Sequence, residues 1–322
     1  MRPARDAWVF ARRKRRRGCR GLLFGGYIVG YLFLAGAGSG TFLVAACCCV
    51  GDALRRTDAS ERLARAVQPG FYVAPCLMVL AGVLLLLDLG NAERAWLVAT
   101  MPFQSVMSAG AWLVVLLTVV SGGLAGAGLL MHEAPRPFLW FGCLAGAFLA
   151  VGTMGYTGLL LSDMVGVDFW RTPWLVALFV ASSLSCGVAV VTVADVLFAP
   201  AGADGLSRTG HMSAPALWCT GAVLTIVEAA VLVAFLATQL AFTETSRASC
   251  ELLLAGSLAP LFWAGVCGAG IVLPLAAHAA RCVLSVAAAR LVASAGVLVG
   301  GLLLRHCVVA AALFTPLALG AI

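Results

Sequence analysis

Nine apolar runs, separated by short charged or turn-forming stretches, decide what this sequence can fold into. They cover residues 21–51, 71–87, 95–131, 138–162, 172–194, 212–227, 229–243, 252–277 and 291–304. Runs of about twenty residues match a hydrocarbon core roughly 30 Å thick. The third run exceeds one span, and Pro102 with its polar neighbours assigns its first part to a loop. Glu228 interrupts one helix rather than separating two. Eight spans result, over about 21–50, 71–89, 106–130, 138–161, 173–198, 213–240, 252–277 and 288–314.

Composition agrees. Of 322 residues, 62% are hydrophobic and 11% charged, too few charges to cover a water-soluble domain of this length. The expectation is an all-α integral membrane protein, with a basic tail over residues 1–20 and a single polytopic domain over 21–322. Leu32–Ala35 resembles Leu178–Ala181, and Gly158–Leu161 resembles Gly301–Leu304, at nearly equal offsets. Such a repeat would relate spans four apart and give two side-by-side four-helix bundles. The glycine clusters Gly36, Gly38, Gly40 and Gly122, Gly123, Gly126, Gly128 suit close helix packing in lipid.

The N-terminal 21–50 run is too long for the apolar region of a signal peptide, so it is expected to stay as the first span. Nine Lys and Arg through Arg20 favour a cytoplasmic N-terminus. Arg55, Arg56, Arg62 and Arg65 in the next loop pull the other way. Eight spans return both termini to one side of what is expected to be a plasma membrane. The basic run is a topogenic flank, and nucleic acid is not an expected partner. Residues 51–70 suit an interfacial helix or a solvated loop equally.

Twelve scattered cysteines form no CxxC pair and no Cys/His spacing for zinc or an iron–sulfur cluster. His132, His211, His278 and His306 do not pair within helices, as two axial haem ligands must. No metal, haem or cluster is expected in this chain.

The polar residues gather instead. Tyr156 and Thr157 stand between Gly155 and Gly158, about six residues before an acidic turn and so roughly 9 Å inside a helix. A hydroxyl at that depth needs a partner. Alternation of the spans brings Tyr27, Tyr31, Asp88, Gln104, Ser105, Ser108, Trp112, Asp163, Asp168, Trp170, Arg171 and Arg305 toward the same face. A pocket there would suit a flat ligand with a carbonyl or hydroxyl head. Trp170 and Trp174 fit an interfacial aromatic belt. Glu228 lies mid-span, where a carboxylate is costly and a functional candidate by default. Arg305 either snorkels to the surface or faces a polar interior.

Gly30–Gly36 with Gly38 and Gly40, Ser105–Trp112, Tyr156–Ser162 followed by Trp170 and Leu178–Gly187, and Gly300–Arg305 together resemble, in the same order, segments of the NrfD/PsrC family. That family comprises membrane subunits of polysulfide-reductase-type complexes. The resemblance implies a haem-free subunit that binds quinone, menaquinone in type, and serves anaerobic respiration. It also implies a docked ferredoxin-like iron–sulfur subunit and a molybdopterin catalytic subunit. Tyr156 would stand at the quinone head group. Tyr31 stands where some members carry histidine, with Tyr27 one turn before it; a phenol is a poor base at neutral pH. Thr157, Ser108 and Arg305 complete the candidate quinone site, and Asp163 and Glu228 are candidates for proton transfer. A secondary transporter and a passive membrane anchor for a partner subunit are the alternatives.

Overall fold

In the computed structural model, residues 3–55, 58–88, 106–130, 136–164, 166–198, 215–280 and 286–313 are described. Gln104, Ser105, His132 and His211 fall outside them. Among the described residues there is no strand. The helices are α1 (Pro3–Arg55), α2 (Asp58–Asp88), α3 (Val106–Leu130), α4 (Arg136–Ser162), α5 (Pro173–Phe198), α6 (Pro215–Phe242), a short α7 (Glu244–Leu254), α8 (Leu261–Ala279) and α9 (Val286–Ala310). Eight of them contain an apolar segment long enough to cross a membrane. The protein is a multi-pass, all-helical membrane protein.

Local chemistry sets several boundaries. Pro173 and Pro215 open α5 and α6, where a missing N–H costs nothing. The seventh expected span, 252–277, is divided. Thr243 caps α7 by accepting from the Ser246 amide at 3.2 Å, and the apolar span begins only at Leu261. Hydropathy alone merged the two, because Leu252, Leu253 and Leu254 end an amphipathic helix beside an apolar one. From Asp58 the segment after the first span is helical and continuous with α2.

α1 packs against α2, α4, α5 and α9, while α5 packs against α1, α2, α4, α6 and α9. These two helices carry the centre of the molecule. They cross at Gly40 and Gly187, where a Cβ on either would overlap the other helix's backbone. α8 meets α9 in the same way, Gly270 standing so that an added Cβ would be 2.9 Å from the Gly300 Cα. The second glycine cluster behaves differently from expectation. Cβ atoms at Gly122, Gly123 and Gly126 would have nothing within 4 Å, so these glycines create no close crossing.

Arg305 lies at 0% exposure between α1, α5 and α9 and faces the interior rather than snorkelling. Its Nε donates to the Leu32 carbonyl at 3.2 Å and its Nη1 to Ser182 Oγ at 3.2 Å and to the Gly301 carbonyl at 2.9 Å. Nη2 donates to Ser183 Oγ at 2.9 Å. The guanidinium also lies 5.3 Å from the Phe179 ring centroid and 5.8 Å from that of Phe33. Placing an arginine at the centre of a membrane helix costs about 2.5–3.5 kcal/mol on insertion scales, an upper bound for Arg305, which lies near the end of α9. Charge-assisted hydrogen bonds contribute about 1.5–3 kcal/mol each, so the set outweighs that cost.

Two outcomes follow for purified protein in detergent. Gly187→Ala is expected to lower the thermal midpoint sharply or abolish folding, whereas Gly123→Ala leaves it unchanged or raised. Arg305→Lys keeps the charge but not the planar fork; losing one or two of its bonds should cost about 2–4 kcal/mol, read as a lower midpoint. An Arg305→Lys variant as stable as the parent would show that the fork does not hold the helices.

Candidate functional site

Alternating passage of the eight spans defines two faces. The near face carries the ends of α2, α4, α6 and α9, and the starts of the apolar segments of α1, α3, α5 and α8. Tyr31 and Tyr156 lie toward it, one on α1 and one on α4, at 1% and 4% exposure, close enough for their hydroxyls to interact. The space for the Tyr156 ring is not made by its neighbours in sequence. Gly158 is occupied by α5, a Cβ there standing 2.7 Å from the Val176 Cα. The ring is seated on Gly110 of α3, where any Cβ would overlap it. Gly110 is a site residue that the sequence did not single out for this task. Its signal was the small-residue stretch Ser108-Ala109-Gly110-Ala111 at the start of α3.

The polar atoms around this seat are under-used. The Tyr156 hydroxyl makes a 3.5 Å contact with the Met107 carbonyl, too long for a strong O–H···O bond. The Tyr31 hydroxyl and the Trp112 indole N–H are buried without a hydrogen-bond partner among the described residues, as is Oδ1 of Asp88 at the end of α2. Buried orphan donors are rare and call for an explanation. The two phenols offer O–H groups, the complement of a carbonyl oxygen.

The remaining expected residues divide. Ser108 is buried on α3, one turn before Trp112. Thr157 is fully buried, but its hydroxyl donates to the Met154 carbonyl at 2.7 Å, so it satisfies its own helix. Tyr27 is 41% exposed, one turn before Tyr31 on α1. Asp163 is exposed in the turn after α4, about two helical turns beyond Tyr156. Glu228 is half-buried and its carboxyl turns toward Ser182, Ser185 and Arg305. It belongs to the Arg305 cluster and not to the tyrosines. The two clusters adjoin through α1, since Tyr31 faces Tyr156 while the next carbonyl, that of Leu32, binds Arg305.

Trp170 departs from the belt expectation. It is 6% exposed, and its indole donates to the Val308 carbonyl at 3.0 Å, tying the turn after α4 to the end of α9. Ser162 Oγ donates to the Trp170 carbonyl at 3.0 Å. Asp168 accepts from Thr245 Oγ1 at 3.1 Å and from Thr243 Oγ1 at 3.4 Å, joining the same turn to α7. The turn is therefore a fixed platform at the near face, built by residues far apart in sequence. Trp174, by contrast, is 41% exposed.

The protein is 29% identical over 266 residues to the C subunit of polysulfide reductase from Wolinella succinogenes, an alignment that covers 78% of this sequence and 81% of that one. The family model described as "Polysulphide reductase, NrfD" matches residues 18–317. With nearly the whole length matched, from the first span through the last, this protein belongs to the polysulphide reductase NrfD family.

Proposed function

We propose that this protein is the quinone-reactive membrane subunit of a respiratory oxidoreductase complex. It would exchange electrons between a menaquinol-type quinone and a docked ferredoxin-like iron–sulfur subunit, which in turn serves a molybdopterin catalytic subunit. The observation that carries this reading is the pair of buried phenols, Tyr31 and Tyr156, whose hydroxyls face each other with the Tyr156 ring on its glycine seat. Family membership supports the complex, since the relative's name is that of one subunit of a reductase. It also favours this reading over a permease.

A quinone, when bound, supplies carriage of two electrons and two protons. Tyr31 and Tyr156 would hold its head-group oxygen by donation. Both are poor bases at neutral pH, so proton exchange needs a carboxylate. Asp163 is exposed at the near face beyond Tyr156 and is suited to pass protons to water. Leu117, Met154 and Leu161 are buried in the same hydrophobic cluster as the two tyrosines. The Asp168–Thr245 and Trp170–Val308 ties hold a near-face platform for a partner. The basic N-terminal residues favour a cytoplasmic near face.

Binding of a short-chain naphthoquinone to the purified protein, followed by quenching of tryptophan fluorescence, tests the site. Tyr156→Phe is expected to weaken binding about fivefold to tenfold, the equivalent of one lost hydrogen bond of about 1–1.5 kcal/mol. The Tyr31→Phe, Tyr156→Phe double variant should bind more weakly still. Affinity unchanged in both variants removes the tyrosines from the site. Quinol oxidation by the assembled complex that is unchanged in Tyr156→Phe would leave the protein a passive anchor.

A further inference from the structure

Three buried polar atoms beside α7 take no part in the tyrosine site or in the Arg305 cluster. They are Oε1 and Nε2 of Gln239 on α6 and Oγ of Ser249 on α7. Both residues are at 0% exposure, and none of the three atoms has a hydrogen-bond partner among the described residues. The common remedy for a hydroxyl in this bundle is donation to the carbonyl four residues back. Ser39, Thr118, Thr192 and Thr238 all use it, at 2.6–2.8 Å. Ser249 does not. The Gln239 carboxamide has more to satisfy, since it offers two N–H donors and an acceptor oxygen.

The two residues flank one corner of the chain. Thr243 alone joins the end of α6 at Phe242 to the start of α7 at Glu244. Gln239 lies about 6 Å of helix before Thr243, and Ser249 about 9 Å after it. α7 is pinned at both ends. At its start Thr245 Oγ1 donates to Asp168 at 3.1 Å, and at its end the Trp263 indole donates to the Leu254 carbonyl at 3.0 Å. Between the pins its buried side consists of Ser246, Ser249, Cys250 and Leu253, half of it serine. Ser246 is accounted for, its Oγ lying 2.9 Å from that of Thr243. One turn before Gln239, Phe235 meets Phe169 edge-on with centroids 5.2 Å apart. Both rings belong to the same buried cluster as Cys250, Leu253 and Phe262.

Energetics decide what belongs in this corner. A buried polar atom left without a partner costs its full desolvation. Three of them together would consume a large part of the small net stability of a folded chain. A charged occupant is unsuited, because an anion is repelled by the carboxamide oxygen and a cation by its N–H groups. Full burial leaves no opening for a large molecule. A small neutral molecule that both donates and accepts satisfies all three atoms, and water is that molecule.

We propose that Gln239 and Ser249 form a water-binding site that seats α7 on the bundle. Water accepts from Gln239 Nε2, donates to Gln239 Oε1 and completes the bonding of Ser249 Oγ. α7 is then held by direct hydrogen bonds at its two ends and through water at its middle. This makes the near-face platform a strap over a wet joint rather than an apolar contact. The site stands apart from the tyrosines and does not depend on quinone binding.

Hydroxyl-radical footprinting of the full-length protein in detergent, with radicals generated by X-ray pulses, tests this directly. Radicals arise from bound water as well as bulk water, so a buried side chain is modified only where water is held beside it. Cys250, next to Ser249 and at 0% exposure, is expected to be oxidised. Cys143, buried on α4, should stay unmodified. Combining Gln239→Leu with Ser249→Ala should suppress the Cys250 oxidation severalfold. The thermal midpoint gives a second reading. Gln239→Leu and Ser249→Ala should each lower it, and the double variant should fall no further than the worse single, because both lose the same water. Cys250 as unreactive as Cys143 in the parent protein overturns the proposal, and that measurement needs no variant to fold. A midpoint unchanged or raised by Gln239→Leu overturns it too, as do losses that add in full, which would place the two residues in separate sites.

Discussion

A guanidinium buried where lipid surrounds the bundle organises this protein. Hydrocarbon offers no partner for a charge or a hydroxyl, so every polar group within the spans must be satisfied inside the bundle. Arg305 meets that condition by drawing the Leu32 carbonyl, Ser182 and Ser183 onto one point. α1, α5 and α9 then have to approach closely. Gly36 permits it, since a Cβ there would stand 2.6 Å from Nη2 of Arg305. The glycine crossing of α1 and α5 is thus the steric counterpart of the same charge.

That knot also separates two chemistries. On its near side stand the two phenols, whose hydroxyls face each other. On its far side stands the Glu228 carboxyl, turned toward Ser182 and Ser185. The near side matches what a membrane subunit of the NrfD family needs if quinone is its substrate.

Much of this was legible in the sequence, and the boundary of legibility is physical. Eight spans could be counted because hydropathy and length dominate in a bilayer. Tyr156 stood out because a hydroxyl six residues inside an apolar helix has no local remedy. The sequence could not choose between a snorkelling and an inward Arg305, since its partners lie on helices more than a hundred residues away. It assigned Trp170 to the membrane surface because the Val308 carbonyl, 138 residues on, cannot be seen from composition. It started the seventh span at residue 252 because a window of hydropathy does not separate Leu252, Leu253 and Leu254, the end of α7, from the apolar span that begins at Leu261. It treated both glycine clusters alike, although only the first lies at a helix crossing.

The most direct measurement is a cryo-EM structure of the assembled complex with a menaquinone analogue bound. The account predicts a head-group oxygen within hydrogen-bond distance of the Tyr156 hydroxyl, with Tyr31 as its second donor and the ring against Gly110. A head group seated elsewhere, with Tyr31 and Tyr156 unchanged, would contradict it.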